Sequence, residues 1–143
     1  MYNCPTPNPQ SCCQKVIEFK TQLVPPALPG SVVTKLTFPK PVIEDVCPEK
    51  VIVCGKLIKT ITYTAVKSDG TKETKTITDE RSFQCVIDRE DANEGDEFEV
   101  VGYSVLCEGK PILMNKGVRH NKDVFWRLKE KDIVKICIRK KWK

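Results

Sequence analysis

From residue 16 onward the chain alternates apolar and polar residues with a period of two, a pattern that fits strands buried on one face and little else. Between Val16 and Leu23, Ile17, Phe19 and Leu23 fall on one face while Glu18, Lys20 and Gln22 fall on the other. Pro25, Pro26, Pro29 and Gly30 are expected to end this strand, because proline lacks the ladder donor and glycine relaxes the backbone. A second run, Val32 to Phe38, puts Val32, Leu36 and Phe38 together before Pro39 and Pro41 close it. Val51 to Val66 is rich in β-branched residues and is followed by Ser68-Asp69-Gly70 and the threonine-rich Thr71 to Thr78, which predicts a hairpin turning at Asp-Gly. Further strands are expected at Phe83 to Ile87, Glu97 to Cys107, Ile112 to Met114, Val124 to Leu128 and Asp132 to Lys140, with a turn at Glu108-Gly109-Lys110. No stretch sustains a helical period for three turns. The pattern predicts an all-β fold, a jelly-roll-like β-sandwich of about eight strands over residues 16–143. An extended arm, residues 1–15, precedes it.

The arm is different in kind. It is rich in proline and cysteine and holds Cys4, Cys12 and Cys13 of the eight cysteines in the 143-residue chain. It is read as a flexible connector, and a tether that bears thiols can reach a neighbouring subunit and lock there. Cys12 and Cys13 are poorly placed to bond to each other, since a good bridge wants Cα atoms ~5.5 Å apart and adjacent residues sit ~3.8 Å apart. They are expected to point to two different partners. Strand parity sorts the body cysteines. Cys137 falls with Lys135 and Arg139, opposite Val134, Ile136 and Ile138, and Cys54 falls with Lys56, Thr60, Thr62 and Thr64, so both are expected outward. Cys85, between Phe83 and Ile87, is expected inside, and Cys107, at a strand end beside a turn, is open to either face. The candidate intersubunit disulfide residues are therefore Cys4, Cys12 and Cys13 in the arm, with Cys54, Cys137 and Cys107 as acceptors in the body.

Other chemistries find less support. There is no C-x-x-C and a single histidine, His120, whereas a zinc site wants two close ligand pairs. No nucleophile, base and orienting group stand together and no Gly-rich phosphate loop occurs, so no catalytic residues and no cofactor are expected. His120 lies in the basic loop Lys116 to Lys122 and reads as structural. The acidic stretch from Asp88 to Glu99 does not match the spaced-oxygen pattern of a calcium loop and reads as a solvated rim. The net charge of +5 is concentrated in the tail Arg139 to Lys143, without the aromatic platforms of a nucleic-acid surface. No apolar run approaches the ~20 residues of a membrane span, so neither nucleic acid nor membrane is expected as a partner. The N-terminus has neither the basic leader nor the apolar run of a secretory signal, which points to synthesis in a cytosol. A disulfide role then requires a compartment that later becomes oxidising.

The segment from about Val33 through Arg139 resembles the SPOCS domain of spore-forming Firmicutes. It does so through Val51-Ile52-Val53-Cys54-Gly55-Lys56-Leu57, the central hairpin, Phe83-Gln84-Cys85-Val86-Ile87 and the closing Asp132 to Arg139. That family occurs in spore coat and exosporium proteins, and the resemblance implies a scaffolding role with no catalytic residues. The Cys12-Cys13 pair in a connector ahead of a β-sandwich is similar to endospore appendage fibre subunits, whose connectors cross-link stacked subunits by disulfides. Here the further cysteine, Cys4, precedes the pair, whereas in those subunits it follows. These resemblances imply a spore-surface protein made in the mother-cell cytosol, partnered by copies of itself and by other coat or exosporium proteins. A cysteine-based metal or redox module and a non-polymerising coat adaptor remain as alternatives.

Overall fold

In a computed structural model that describes residues 11–142, the chain is all strand. Eight strands follow in order: β1 (Cys12–Ala27), β2 (Val33–Thr37), β3 (Val42–Cys47), β4 (Lys50–Val66), β5 (Lys72–Asp88), β6 (Phe98–Glu108), β7 (Ile112–Arg119) and β8 (Lys122–Lys140). All pairings are antiparallel and join the strands into one sheet. β4 carries β5 along one edge and β3 and β2 in succession along the other. β8 is flanked by β1 on one side and by β6 and β7 on the other. Among the described residues, the ladder link between these two groups is Ala27 opposite Ala65, where β1 crosses over and the sheet curls on itself.

The curl is driven by the alternation. Ile17 and Phe19 of β1, Val51, Val53 and Leu57 of β4, Phe83 and Ile87 of β5, and Val134, Ile136 and Ile138 of β8 meet in one buried cluster between the layers. Leu23, Ala27, Ile61, Tyr63, Ala65 and Leu128 form a second cluster. Burying a side chain of this size is worth ~1.5–3 kcal/mol relative to leaving it in water, and strict parity lets each long strand contribute several at once. Gly55 faces Phe83 across the β4–β5 ladder, and a Cβ there would stand 2.7 Å from the ring's Cζ. The absent side chain lets the ring lie down into the core. Phe38, on the β2–β3 connection, bridges Phe83 at 6.0 Å and Tyr103 of β6 at 5.5 Å, closing one side of the molecule.

The expected hairpin is present. β4 and β5 pair from Lys50 opposite Asp88 to Val66 opposite Lys72, and Gly70 in the turn has φ +86°. Asp69 stabilises that turn by accepting the Thr71 N–H at 2.9 Å. His120 has a structural position beside it, with a ring nitrogen 2.6 Å from the Ser68 carbonyl.

Other expectations are corrected. The first strand does not begin at residue 16 or stop at Pro25: β1 starts at Cys12 and continues to Ala27, so the connector expected over residues 1–15 gives its last four residues to the sheet. The two prolines sit where the β1–β8 register shifts between Gln22 and Ala27, a stretch that does not require their missing N–H groups. β3 was not anticipated, because Pro39 and Pro41 mask its short alternation. β5 and β8 are each one continuous strand rather than two. Their apparent interruptions, around Asp79-Glu80-Arg81 and Lys129-Glu130-Lys131, hold Asp79, which accepts from Thr21 of β1, and Glu130, which is ion-paired with Lys59 inside the fold.

Candidate functional site

The two neighbouring cysteines open β1, where successive side chains point to opposite faces. Cys12 stands directly opposite Cys137 of β8, with Cα atoms 4.0 Å apart, and the two are disulfide-bonded. The flanking pair is hydrogen-bonded through Ile138 N–H to the Ser11 carbonyl at 2.7 Å, so Cys12 and Cys137 occupy the closer, non-bonded type of pair. Cys13 turns inward and crosses to β5, where it is bonded to buried Cys85 over a Cα separation of 6.4 Å. The expectation of two different partners holds, but both belong to the same chain, and Cys137 is not an open acceptor. Cys54 and Cys107 are free, as is Cys47, whose thiol points to Asp45 Oδ2 at 3.9 Å. Cys54 and Cys137 are half-buried on outer faces and Cys85 is buried, as parity required, while Cys107 is exposed. Cys4 lies outside the described residues.

β1 and β5 run side by side without a hydrogen-bonded ladder, and side chains bridge them. Besides Cys13–Cys85, Thr21 donates to Asp79 Oδ2 at 2.5 Å, and Arg81 binds the other Asp79 oxygen at 2.5 Å while reaching the Lys20 carbonyl at 3.3 Å.

Next to this seam, between the two apolar clusters, three charged residues are fully enclosed. Lys59 of β4 and Asp132 of β8 are 0 % exposed and Glu130 of β8 is 1 % exposed. The Lys59 ammonium donates to Asp132 Oδ2 at 2.9 Å and is ion-paired with Glu130 Oε2. It also lies 4.4 Å from the centre of the Phe19 ring. The remaining carboxylate oxygens have donors: Gly109 N–H reaches Asp132 Oδ1 at 3.1 Å, and the Thr34 hydroxyl is 3.4 Å from Glu130 Oε1. Burial pushes Lys59 below its ordinary pKa, and the hydrogen bond to Asp132 offsets only part of that shift.

These residues were missed in the sequence. The signal was nevertheless present: Lys59 shares its parity with Val53, Leu57 and Ile61, and Glu130 and Asp132 share theirs with Leu128, Val134 and Ile136. Opposite charges on the inward faces of two long strands are the mark of a buried pair.

Gly109 owes its position to its missing side chain, since a Cβ there would stand 2.1 Å from the Lys131 carbonyl oxygen. Gly109→Ala is expected to push the β6–β7 turn off β8, remove the donor from Asp132 Oδ1 and cost about 2 kcal/mol, a typical penalty for overpacking. Urea unfolding of the variant checks this through its midpoint.

Four residues of the acidic stretch are drawn into ion pairs with basic residues. Asp88 meets Lys50 at 2.5 Å, Asp91 binds Arg89 at 2.9 Å, Asp96 meets Lys140 at 3.0 Å and Glu99 accepts from Arg139 Nε at 2.9 Å. The hydrogen bonds from Arg89, Lys140 and Arg139 hold Asp91, Asp96 and Glu99 below the ordinary carboxylate range. Compared with family models, curated proteins and solved structures, the chain finds no match.

Proposed function

We propose that this chain is a structural subunit of the bacterial endospore surface that assembles with copies of itself into an appendage fibre or an exosporium or coat lattice, cross-linked between subunits by disulfides through its N-terminal segment. The observation that carries this reading is the division of its thiols. Two pairs staple the first strand to the body, a use of cysteine suited to an oxidising surrounding. Cys47, Cys54 and Cys107 are left with free thiols, and Cys4 stands in the segment just ahead of β1. The spore setting comes from the SPOCS-like and appendage-like sequence pattern, and it supplies the change from a reducing mother cell to an oxidising exterior.

Because Cys12 and Cys13 have partners in their own chain, the link to a neighbour falls to Cys4, with Cys54 and Cys107 as the acceptors. Both acceptors have apolar company suited to docking. Val42 and Val86, 60 % and 53 % exposed, pair across the sheet with Cys54 and with its neighbour Ile52, while Val101, Tyr103 and Leu106 are exposed along β6 near Cys107. Among the described residues, the outer edges of β6 and β7 have no ladder partner, and such edges take up further strands. Contacts of this kind that repeat head to tail without closing produce filaments.

The test is a denaturing gel of protein oxidised at increasing concentration. A ladder of covalent oligomers that collapses with reductant is expected, and Cys4→Ser should abolish it while the β-sheet circular dichroism stays unchanged. Monomer alone under oxidising conditions, or a ladder that survives both Cys4→Ser and removal of residues 1–10, overturns the reading.

A further inference from the structure

The enclosed charges join an amine to a carboxyl group in a place that water does not reach. Lys59 Nζ touches Asp132 Oδ2 at 2.9 Å and Glu130 Oε2, with the Phe19 ring 4.4 Å away and none of the three residues more than 1 % exposed. In water an ammonium and a carboxylate stay ionised and do not condense. In a dry site the charged forms lose their solvation, and a proton can pass from one to the other to give a neutral amine facing a neutral acid. Two such groups fixed in contact act as if at very high concentration, on the order of 10⁵ M or more for well-oriented pairs. The direction of the Lys59 shift, down toward the free amine, agrees with this environment.

We propose that Lys59 and Asp132 condense within the folded chain to an isopeptide bond, with Glu130 carrying the proton. The Lys59 ammonium first gives a proton to Asp132 Oδ2. The Nζ lone pair then attacks Asp132 Cγ while Glu130 Oε2 takes a proton from the nitrogen. Negative charge develops on Asp132 Oδ1, where the Gly109 N–H already points from 3.1 Å and stabilises it as an oxyanion donor does. Glu130 returns its proton to the Oδ2 hydroxyl, the Cγ–Oδ2 bond breaks, and water leaves as the carbonyl re-forms. One N–C bond is made and one C–O bond is broken, with no oxidant, and Glu130 ends as the carboxylate it began. Asp132 is the electrophile because the backbone donor is on its carboxyl, and Glu130 is the carrier because its other oxygen meets only the more distant Thr34 hydroxyl at 3.4 Å. The bond joins β4 to β8 across the core, a link between the layers that reductant cannot cut.

Intact mass spectrometry of the full chain, reduced, alkylated and denatured, tests this. The wild-type protein is expected to be lighter than its sequence by one water. Its proteolytic map should contain a branched peptide that joins the segment around Lys59 to the segment around Asp132. Lys59→Arg and Glu130→Gln should restore the full mass. Wild-type protein that keeps its full mass after long incubation in the folded state overturns the proposal, whether or not the variants fold. A water lost by cyclisation at Asp69-Gly70 leaves only linear peptides and also counts against it. A branch that maps to Glu130 overturns the assignment of electrophile and carrier.

Discussion

Replacing Cys13 and Cys85 together by alanine is expected to lower the thermal midpoint by on the order of 10 °C, from a loss of about 4 kcal/mol at roughly 2–4 °C per kcal/mol for a domain of this size. The bond closes a loop of 72 residues, and in the chain-entropy account most of its effect comes from the conformations it removes from the unfolded chain. A second contribution comes from its place in the fold. β1 and β5 have no ladder between them, and Cys13–Cys85 is the covalent tie across that seam, with Cys85 packed among Phe83, Ile87 and Val53. Alanine at both positions also leaves a small void in the core. Cys12→Ala with Cys137→Ala removes a loop of 125 residues and is expected to have a comparable entropic effect, but there the ladder between β1 and β8 survives and no core contact is lost. Differential scanning calorimetry with and without reductant decides the matter. Midpoints that do not move on reduction would show that neither bond forms in the folded protein.

The second large effect is expected at the enclosed charges. Relative to the fold before its Lys59–Asp132 bond forms, Lys59→Ala should cost about 3–5 kcal/mol, because it leaves Glu130 and Asp132 buried without their cation. The loss arises less from a missing attraction than from two carboxylates stranded out of water beside Phe19 and the apolar clusters on either side. Exchanging all three residues for apolar ones of similar volume removes that penalty and should be far milder than the single change. Urea unfolding of Lys59→Ala and of the triple replacement measures the contrast. Equal losses in the two proteins would mean that the charges are not isolated from solvent as their burial requires.

Both effects depend on features with different visibility in the sequence. The β4–β5 hairpin was legible because its cause is local: Asp69-Gly70 supplies the turn, and β-branched residues alternate on either side of it. The faces of Cys54, Cys85 and Cys137 were legible for a similar reason, since parity along a strand needs only the neighbours of each residue. That Cys12 and Cys13 diverge was also contained in their adjacency. Which cysteines they meet was not, because Cys85 and Cys137 come from strands 72 and 125 residues away.

The sequence by itself determined that the chain would form strands, where its main turn would fall and which side chains would face inward, because each of these follows from residues within reach of one another along the backbone. Only the tertiary structure decided that β1 begins at Cys12 and runs past its prolines, that β5 and β8 continue through their charged stretches, and that Lys59 meets Glu130 and Asp132 inside the core. A buried charge is tolerable only when its counter-charge arrives from elsewhere in the chain, here 73 residues away at Asp132, and that coincidence exists only once the sheet has curled and brought β4 against β8.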